Sequence, residues 1–200
     1  MFPEITRDDI FRIETERLWL RWLRAADKEG VVRYAGDPEV ALKTAIIPHP
    51  YETRDAETFI LQARDENARG AALHLALAPK RAPNDVLGAI SLHGADNRGV
   101  ATLGFVLGRA HWGQGLMTEA ATAFVDLIFS ITSIQEIVSS ALPDNAASLR
   151  VMEKLGFSRL GKDSAIWPAR GGAVEVERTI LKRGAAHTAF GARRPRLSSS

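Results

Sequence analysis

The chain has 200 residues, 26 Lys+Arg against 24 Asp+Glu, a formal net charge of +2 and no Cys. That length, with 46% hydrophobic and 25% charged residues, suits one soluble domain around a single core. The missing Cys excludes disulfides, thiolate metal sites and a cysteine nucleophile, and no uncharged run exceeds ten residues, too short to span a bilayer.

Residues 1–13 carry Glu4, Arg7, Asp8, Asp9 and Arg12 and lack an apolar signal core. They read as an N-terminal extension rather than a secretory signal, so a soluble cytoplasmic protein is expected. The charge is unevenly placed. Arg183, Arg193, Arg194 and Arg196 fall in the acid-free residues 183–200, which leaves 22 basic against 24 acidic residues in 1–182, a net of −2. A slightly acidic body argues against nucleic-acid binding, which needs a basic patch or stripe.

In chain order, residues 17–22 alternate, with Leu18, Leu20 and Trp22 on one face, and read as a strand. Residues 27–34 read as a short helix. Pro48 and Pro50 make a loop, because each proline pushes its predecessor out of the helical region. Thr53 is the expected cap of a helix to Arg69, whose Ala56, Phe59, Ile60 and Ala63 recur at helical spacing. Three strands follow, around Leu73 to Leu77, Val86 to Leu92 and Ala101 to Leu107. Turns at residues 79–85 and 96–99 make them an antiparallel meander.

A glycine-rich turn then leads into a helix to about Phe129, with Met117, Ala120, Ala121, Phe124 and Ile128 on one face. Residues 134–142 read as a strand, and Asn145 caps a helix that Gly156 ends in the left-handed conformation. Residues 157–162 and 174–182 close as a hairpin. Beyond Gly184 periodicity disappears, and a disordered basic tail over 183–200 is expected. Residues 14–182 thus form one domain of class α/β, a mixed sheet with helices on its faces.

Two segments carry chemistry. The first is strand, then Trp112, Gly113, Gln114, Gly115, Leu116, Met117 and Thr118, then helix. Glycines there let the backbone approach a ligand closely. The unpaired N–H groups and dipole of the helix start suit a pyrophosphate. The same pattern also suits a tight turn that packs helix on sheet. It lacks the Gly-Lys-Ser/Thr ending of a P-loop and is not a full dinucleotide fingerprint. The second runs from Asn145 through Ser148 to Phe157. Asn145 and Ser148 share a face at a helix start, which serves ordinary capping equally well.

Together the segments resemble the GNAT superfamily of acetyl-CoA-dependent N-acetyltransferases, and most of all its RimJ/RimL-like branch, which acetylates ribosomal-protein N-termini. The resemblance covers about residues 14–182. It rests on Thr15-Glu16-Arg17-Leu18 with Leu20-Arg21, Pro48-His49-Pro50-Tyr51, Leu103-Gly104-Phe105, His111 through Ala120, and Asn145 through Phe157. It implies a mostly antiparallel sheet whose central strands splay to admit acetyl-CoA. Phe105, Val106 and Leu107 would give backbone contacts to the pantetheine and acetyl end, and an N–H there would polarise the thioester carbonyl. Residues 113–118 would cradle the pyrophosphate, with Trp112 in front of them. Asn145 would bond the pantetheine arm, and Ser148 would lie near the sulfur. The implied chemistry is direct attack by an amine, a peptide N-terminus or a small molecule, with no metal and no covalent enzyme intermediate. Neither nucleic acid nor membrane is an expected partner, and a homodimer is left open.

The sequence departs from the family pattern at three points. Met117 stands where a small residue is usual. Met152 stands where many relatives have a Tyr general acid, which makes Ser148 the replacement candidate. Thr102 stands where this branch often has a Glu, so the base is not assigned. Glu119, His111, His74, His93 and Glu177 remain candidates for it, each with an equally ordinary structural use. Trp167 is expected in the loop between the last two strands, where an acceptor could pass, or where it is simply an aromatic at a loop tip. A non-catalytic acyl-CoA sensor and an antibiotic- or metabolite-acetylating enzyme are the competing readings.

Overall fold

The computed structural model describes residues 2–94 and 99–185. Its strands are β1 (Arg12–Glu14), β2 (Leu18–Arg21), β3 (Ala72–Pro79), β4 (Gly88–His93), β5 (Val100–Leu107), β6 (Glu136–Ala141), β7 (Ser158–Trp167) and β8 (Gly172–Lys182). The α-helices are α1 (Lys28–Ala35), α2 (Pro38–Ala41), α3 (Thr53–Arg69), α4 (Leu116–Ile131) and α5 (Ala146–Lys154). The strands make one sheet in the order β1-β2-β3-β4-β5-β6-β8-β7. Each neighbouring pair is antiparallel except β5 and β6, which are parallel.

Alternation along the strands sorts the core into two layers. On β3, Leu73, Leu75 and Leu77 face a large cluster with Phe124, Ile128 and Ala121 of α4 and Leu149 and Met152 of α5. Ala76 faces the other way, toward Val31 and Tyr34 of α1 and Ala56, Ile60 and Ala63 of α3. Small residues on that face let α3 lie close to the sheet. Gly70 ends α3 at φ 66°, as a left-handed C-cap.

A buried ion pair fixes the turn from β2 into α1. The Arg21 guanidinium donates to both carboxylate oxygens of Asp27 at 2.8 Å, and further to the carbonyls of Trp22 and Pro83. Asp27 also accepts from the Arg24 N–H at 2.7 Å. Both charges are buried, so each depends on the other for its hydrogen bonds.

Several expectations shift. Thr53 is the first helical residue of α3 rather than its cap. Glu52 precedes it, and its N–H donates to Asp55 at 2.7 Å. Two elements were not anticipated, β1 and the single turn α2. An aspartate cap announces α2, since Asp37 accepts from the Glu39 N–H at 2.9 Å, with Pro38 in the first position. Within the expected N-terminal extension, Phe2 and Phe11 are buried in the main core. Arg183 is not part of a solvated tail. Its guanidinium donates to the carbonyls of Phe129, Thr132 and Ile134 around the end of α4, where the helix dipole favours a cation. Residues 186–200 of the expected tail and residues 95–98 of the expected turn lie outside the described residues. Among the described residues, no helix is long and apolar enough to cross a membrane.

Asp27→Ala strands the buried Arg21 charge and is expected to cost about 3–5 kcal/mol of folding stability. Urea denaturation measures it, and a loss under about 1 kcal/mol would show that the pair carries little.

Candidate functional site

The site begins where the sheet stops being a sheet. β5 and β6 pair only from Val100 with Glu136 to Thr102 with Val138. Beyond that point the strands diverge. The Ser139 hydroxyl donates to the Leu103 carbonyl at 2.9 Å and closes the narrow end of the gap. On its other side β5 stays paired with β4 as far as Leu107.

The ladder phase decides which groups face the gap. Gly108 N–H donates to the Leu87 carbonyl at 2.8 Å, across from it on the β4 side. Counting back by twos, Val106 and Gly104 also point their main-chain groups toward β4. Phe105 and Leu107 therefore point theirs into the gap. The Leu107 carbonyl is taken by the Trp112 indole N–H at 2.6 Å. Among the described residues, the wall is left with the N–H groups of Phe105 and Leu107 and one free carbonyl, that of Phe105. Val106 belongs to the site through its side chain, because its amide is committed to β4.

A cavity of about 470 Å³ opens from this gap. Its lining includes Phe105, Val106, Leu107, Trp112, Gly113, Gly115, Leu116, Met117, Thr118, Asn145 and Ser148. Of the residues expected to hold the cosubstrate, Gln114 alone stays off the wall. Its side chain donates to the Ala110 carbonyl, and its own carbonyl accepts from Arg17. Met117 turns its side chain into the core, as its bulk requires, and leaves its N–H at the cavity.

Local conformation explains the cradle. Gly113 and Gly115 adopt φ 73° and 76°, a region that L side chains rarely enter. Gly115 occupies the cap position of α4 with no side-chain cap, and the first intrahelical bond is Glu119 N–H to Gly115 carbonyl at 3.0 Å. The N–H groups of Leu116, Met117 and Thr118 lie ahead of that bond and face the cavity side of the helix start. The start of α5 lies across from them. Asn145 accepts from the Ser148 N–H at 3.2 Å and reaches the Lys43 carbonyl at 3.4 Å. It is thus a working cap that also lines the cavity. The Ser148 hydroxyl is half-buried, and among the described residues it has no hydrogen-bond partner.

Glu119 fastens this loop to the first hairpin. One carboxylate oxygen accepts from the Thr15 hydroxyl at 2.6 Å and the Arg17 N–H at 2.8 Å, the other from the Arg17 guanidinium at 2.6 Å. Burial pushes its carboxyl up, but these three donors outweigh burial and hold it below its ordinary value. Glu119 is therefore a charged tether, already saturated, and poorly suited to accept a proton.

The remaining base candidates separate clearly. His111 is half-buried and lines the cavity and a second one beside it. Glu177 is buried but does not line the cavity. His74 and His93 lie on the α3 face, and Thr102 is exposed at the far end of β5. Met152 is 1% exposed, and its sulfur accepts from the Thr179 hydroxyl at 3.1 Å. Trp167 is not on a loop tip. β7 runs on to include it, and it packs at 1% exposure against Leu142 and Val176. Periodicity missed this because β7 is exposed along most of its length and shows no alternation.

The comparisons fit this geometry. The profile of the acetyltransferase (GNAT) domain family matches residues 17–158. The chain belongs to the GNAT acetyltransferase family. It is 29% identical over 171 residues to the uncharacterized N-acetyltransferase p20 of Bacillus licheniformis, covering 84% of this chain and 95% of that one. RimJ of Mycobacterium smegmatis, solved with CoA-disulfide, superposes with a TM-score of 0.79 at 16% identity, over 96% of this chain and 97% of that one. Spermidine N-acetyltransferase from Vibrio cholerae, solved with CoA and spermine, gives 0.70 at 16% identity, over 84% of this chain and 97% of that one. The fold is the GNAT fold, and the protein is an acyltransferase of this family.

Glu119→Gln removes a carboxylate that satisfies three donors and is expected to cost about 2 kcal/mol of stability at pH 7. Because the folded carboxyl sits below its ordinary 4.5, the contribution is fully present above that pH and fades as pH falls through the lower folded value. Wild type and variant should therefore converge in acid. A gap that persists or widens below pH 4.5 would contradict the tether.

Proposed function

We propose that this acetyltransferase moves an acetyl group from acetyl-CoA to the N-terminal amine of a peptide by direct attack. The observation that carries the reading is a pair of N–H groups, Phe105 and Leu107, that have no partner among the described residues and open into the same cavity as the left-handed glycine loop and first-turn amides of α4. The residues suit such a cosubstrate. Main-chain N–H groups at a helix start, approached over glycines, match a pyrophosphate. A narrow strand gap edged by amides matches an extended amide-bearing arm.

Acetyl-CoA, when bound, supplies an activated thioester. The chain supplies the rest. The N–H of Phe105 or Leu107 donates to the carbonyl oxygen as negative charge builds on it, in a wall where the competing Leu107 carbonyl is already tied to Trp112. Asn145 holds the α5 start so that Ser148 faces the cleft. The attacking nitrogen loses a proton as its bond to the acetyl carbon forms and the carbon–sulfur bond breaks. Ser148, with its hydroxyl free among the described residues, passes a proton to the departing thiolate, directly or through a water, and takes up the one the nitrogen gives. Met152 has no such proton to give.

The acceptor follows from charge. Among the cavity-lining residues Lys43, Arg150 and Lys154 oppose a single acid, Asp144. A polyamine, with several positive charges, would find that one carboxylate to pair with in the lining. A peptide N-terminus brings one amine, which must be neutral to attack. The three cations also complement the phosphates of the cosubstrate. This reaction belongs in the cytoplasm, where acetyl-CoA and newly made protein N-termini occur together.

Gly115→Glu should weaken acetyl-CoA binding about a hundredfold while circular dichroism reports a folded chain, since any side chain at φ 76° strains the loop that presents the cradle's amides. Unchanged affinity in the folded variant would displace the loop from this role. Ser148→Ala is expected to lower kcat by about 10²-fold or more with little change in KM for acetyl-CoA. A wild-type kcat would remove Ser148 from the proton path. CoA release measured with N-terminal peptides, spermidine and other amines identifies the acceptor. Turnover on polyamines alone would overturn the peptide reading, and tight acetyl-CoA binding with no turnover on any amine would favour a sensor.

A further inference from the structure

Three side chains that the cleft does not use converge on the opposite face of the sheet. His74 on β3 lies across from Ser91 on β4, and His93 is two residues further along β4, on the same face. Glu66 of α3 comes down onto them. The ligand atoms of Glu66, His74 and His93 all lie within 4.8 Å of one another.

The cluster is held from outside. Asn67 clamps the main chain of His74 in both directions, accepting from its N–H at 2.7 Å and donating to its carbonyl at 2.9 Å. The His74 ring is 5% exposed, with Nδ1 at 2.8 Å from the Ser91 hydroxyl and Nε2 at 2.7 Å from Glu66. The second oxygen of Glu66 accepts from Gln62 at 2.8 Å. A buried His–Glu hydrogen bond alone would need nothing more. The third group is what changes the chemistry: the His93 ring meets His74 edge-on, at 5.2 Å between centroids.

We propose that Glu66, His74 and His93 form a binding site for a divalent transition-metal ion of the zinc type. Two imidazole nitrogens and one carboxylate oxygen, with a fourth position open to water, are a donor set such ions accept. Ser91 on the far nitrogen of His74 and Gln62 on Glu66 provide the outer hydrogen bonds that orient metal ligands. Bond lengths of about 2.0–2.2 Å set tetrahedral ligand atoms about 3.4 Å apart, so the most distant pair must draw in by about 1.4 Å at most, while His74 Nε2 and Glu66, now 2.7 Å apart, must part by about 0.7 Å. His93 is exposed, at the end of its strand, and its side chain can turn to supply that movement. The ion takes the place of the proton now held between His74 and Glu66, and that proton leaves to solvent. β4 runs five residues from Gly88, beside the cleft end of β5, to His93. That separation is about 17 Å. The ion would thus staple α3 to β3 and β4 rather than enter catalysis.

The test is a titration of the full chain with Co²⁺ alone, read by visible absorption, with Zn²⁺ as competitor. The expected result is one site giving the absorption of a nitrogen- and oxygen-ligated tetrahedral ion, displaced by Zn²⁺. Zn²⁺ should also raise the thermal midpoint, by linkage. His93→Ala and Glu66→Gln should each weaken binding about tenfold or more and remove the midpoint shift, while acetyl-CoA affinity stays at the wild-type value. His93 is exposed, so its variant is expected to fold, and the unchanged acetyl-CoA affinity checks this. No Co²⁺ binding by wild type at millimolar concentration would overturn the proposal. So would wild-type binding by His93→Ala, which would move the ion to another histidine.

Discussion

A sheet satisfies its backbone by pairing every strand with a neighbour, and this one withholds that pairing at its centre. The parallel contact between β5 and β6 lasts three residue pairs, and the far half of β5 then runs on with one edge bare. Leaving amides unpaired costs about 1–3 kcal/mol for each buried group. The surroundings limit that cost selectively. Ser139 satisfies the Leu103 carbonyl and Trp112 the Leu107 carbonyl, both acceptors. Among the described residues, the donors of Phe105 and Leu107 are left, with the Phe105 carbonyl between them. The gap is therefore walled by more free donors than free acceptors, which suits an occupant that carries carbonyl oxygens.

The helices that bracket the gap extend the same polarity. α4 and α5 both begin at the cavity, so the positive ends of two helix dipoles meet there. Neither start is closed by a bulky side chain. α4 opens through left-handed Gly113 and Gly115, and α5 through Ala146 and Ala147. Glu119 keeps the α4 start at a fixed distance from the first hairpin, and Asn145 holds the α5 start against the segment after α2. Two anchors of different chemistry, one ionic and one a neutral amide, thus fix two helix ends about one cleft.

Much of this was legible in the sequence, because short-range physics determined it. The glycine pair, the Asn145 cap, the left-handed Gly156 and the apolar stripe of α4 all act within a few residues of themselves. The gap between β5 and β6 was expected only through the family resemblance, since a splay is a relation between strands and leaves no periodic trace. The ladder phase that sorts Phe105 and Leu107 from Val106 needed the register of β4. Trp167 and Arg183 were misplaced for a related reason. The first belongs to a strand with no burial alternation, and the second is held by carbonyls at the end of α4, far away in sequence. The grouping of Glu66, His74 and His93 likewise exists only once α3 lies on the β3–β4 ladder.

Net charge turns out to be a poor guide to this cleft. Residues 1–182 are slightly acidic, yet the cosubstrate proposed for the cleft is an anion. At physiological salt a charge is screened within about 8 Å, so what counts is the charge within one cavity's width. There the balance is positive. Lys43, Arg150 and Lys154 stand at the lining against Asp144, and the backbone adds the amides of two helix starts. Lys43 also lies 4.8 Å from the centre of the Trp112 ring, which ties a rim cation to the indole that caps Leu107. The same field bears on the acceptor. An amine next to several cations loses its proton more readily, because like charges disfavour the ammonium form. In the proposed reaction the donor's phosphates offset part of that positive charge, and what remains, with the helix-start amides, favours the neutral, nucleophilic state of the amine. That reduces what is asked of a general base in a site where Thr102 cannot act as one.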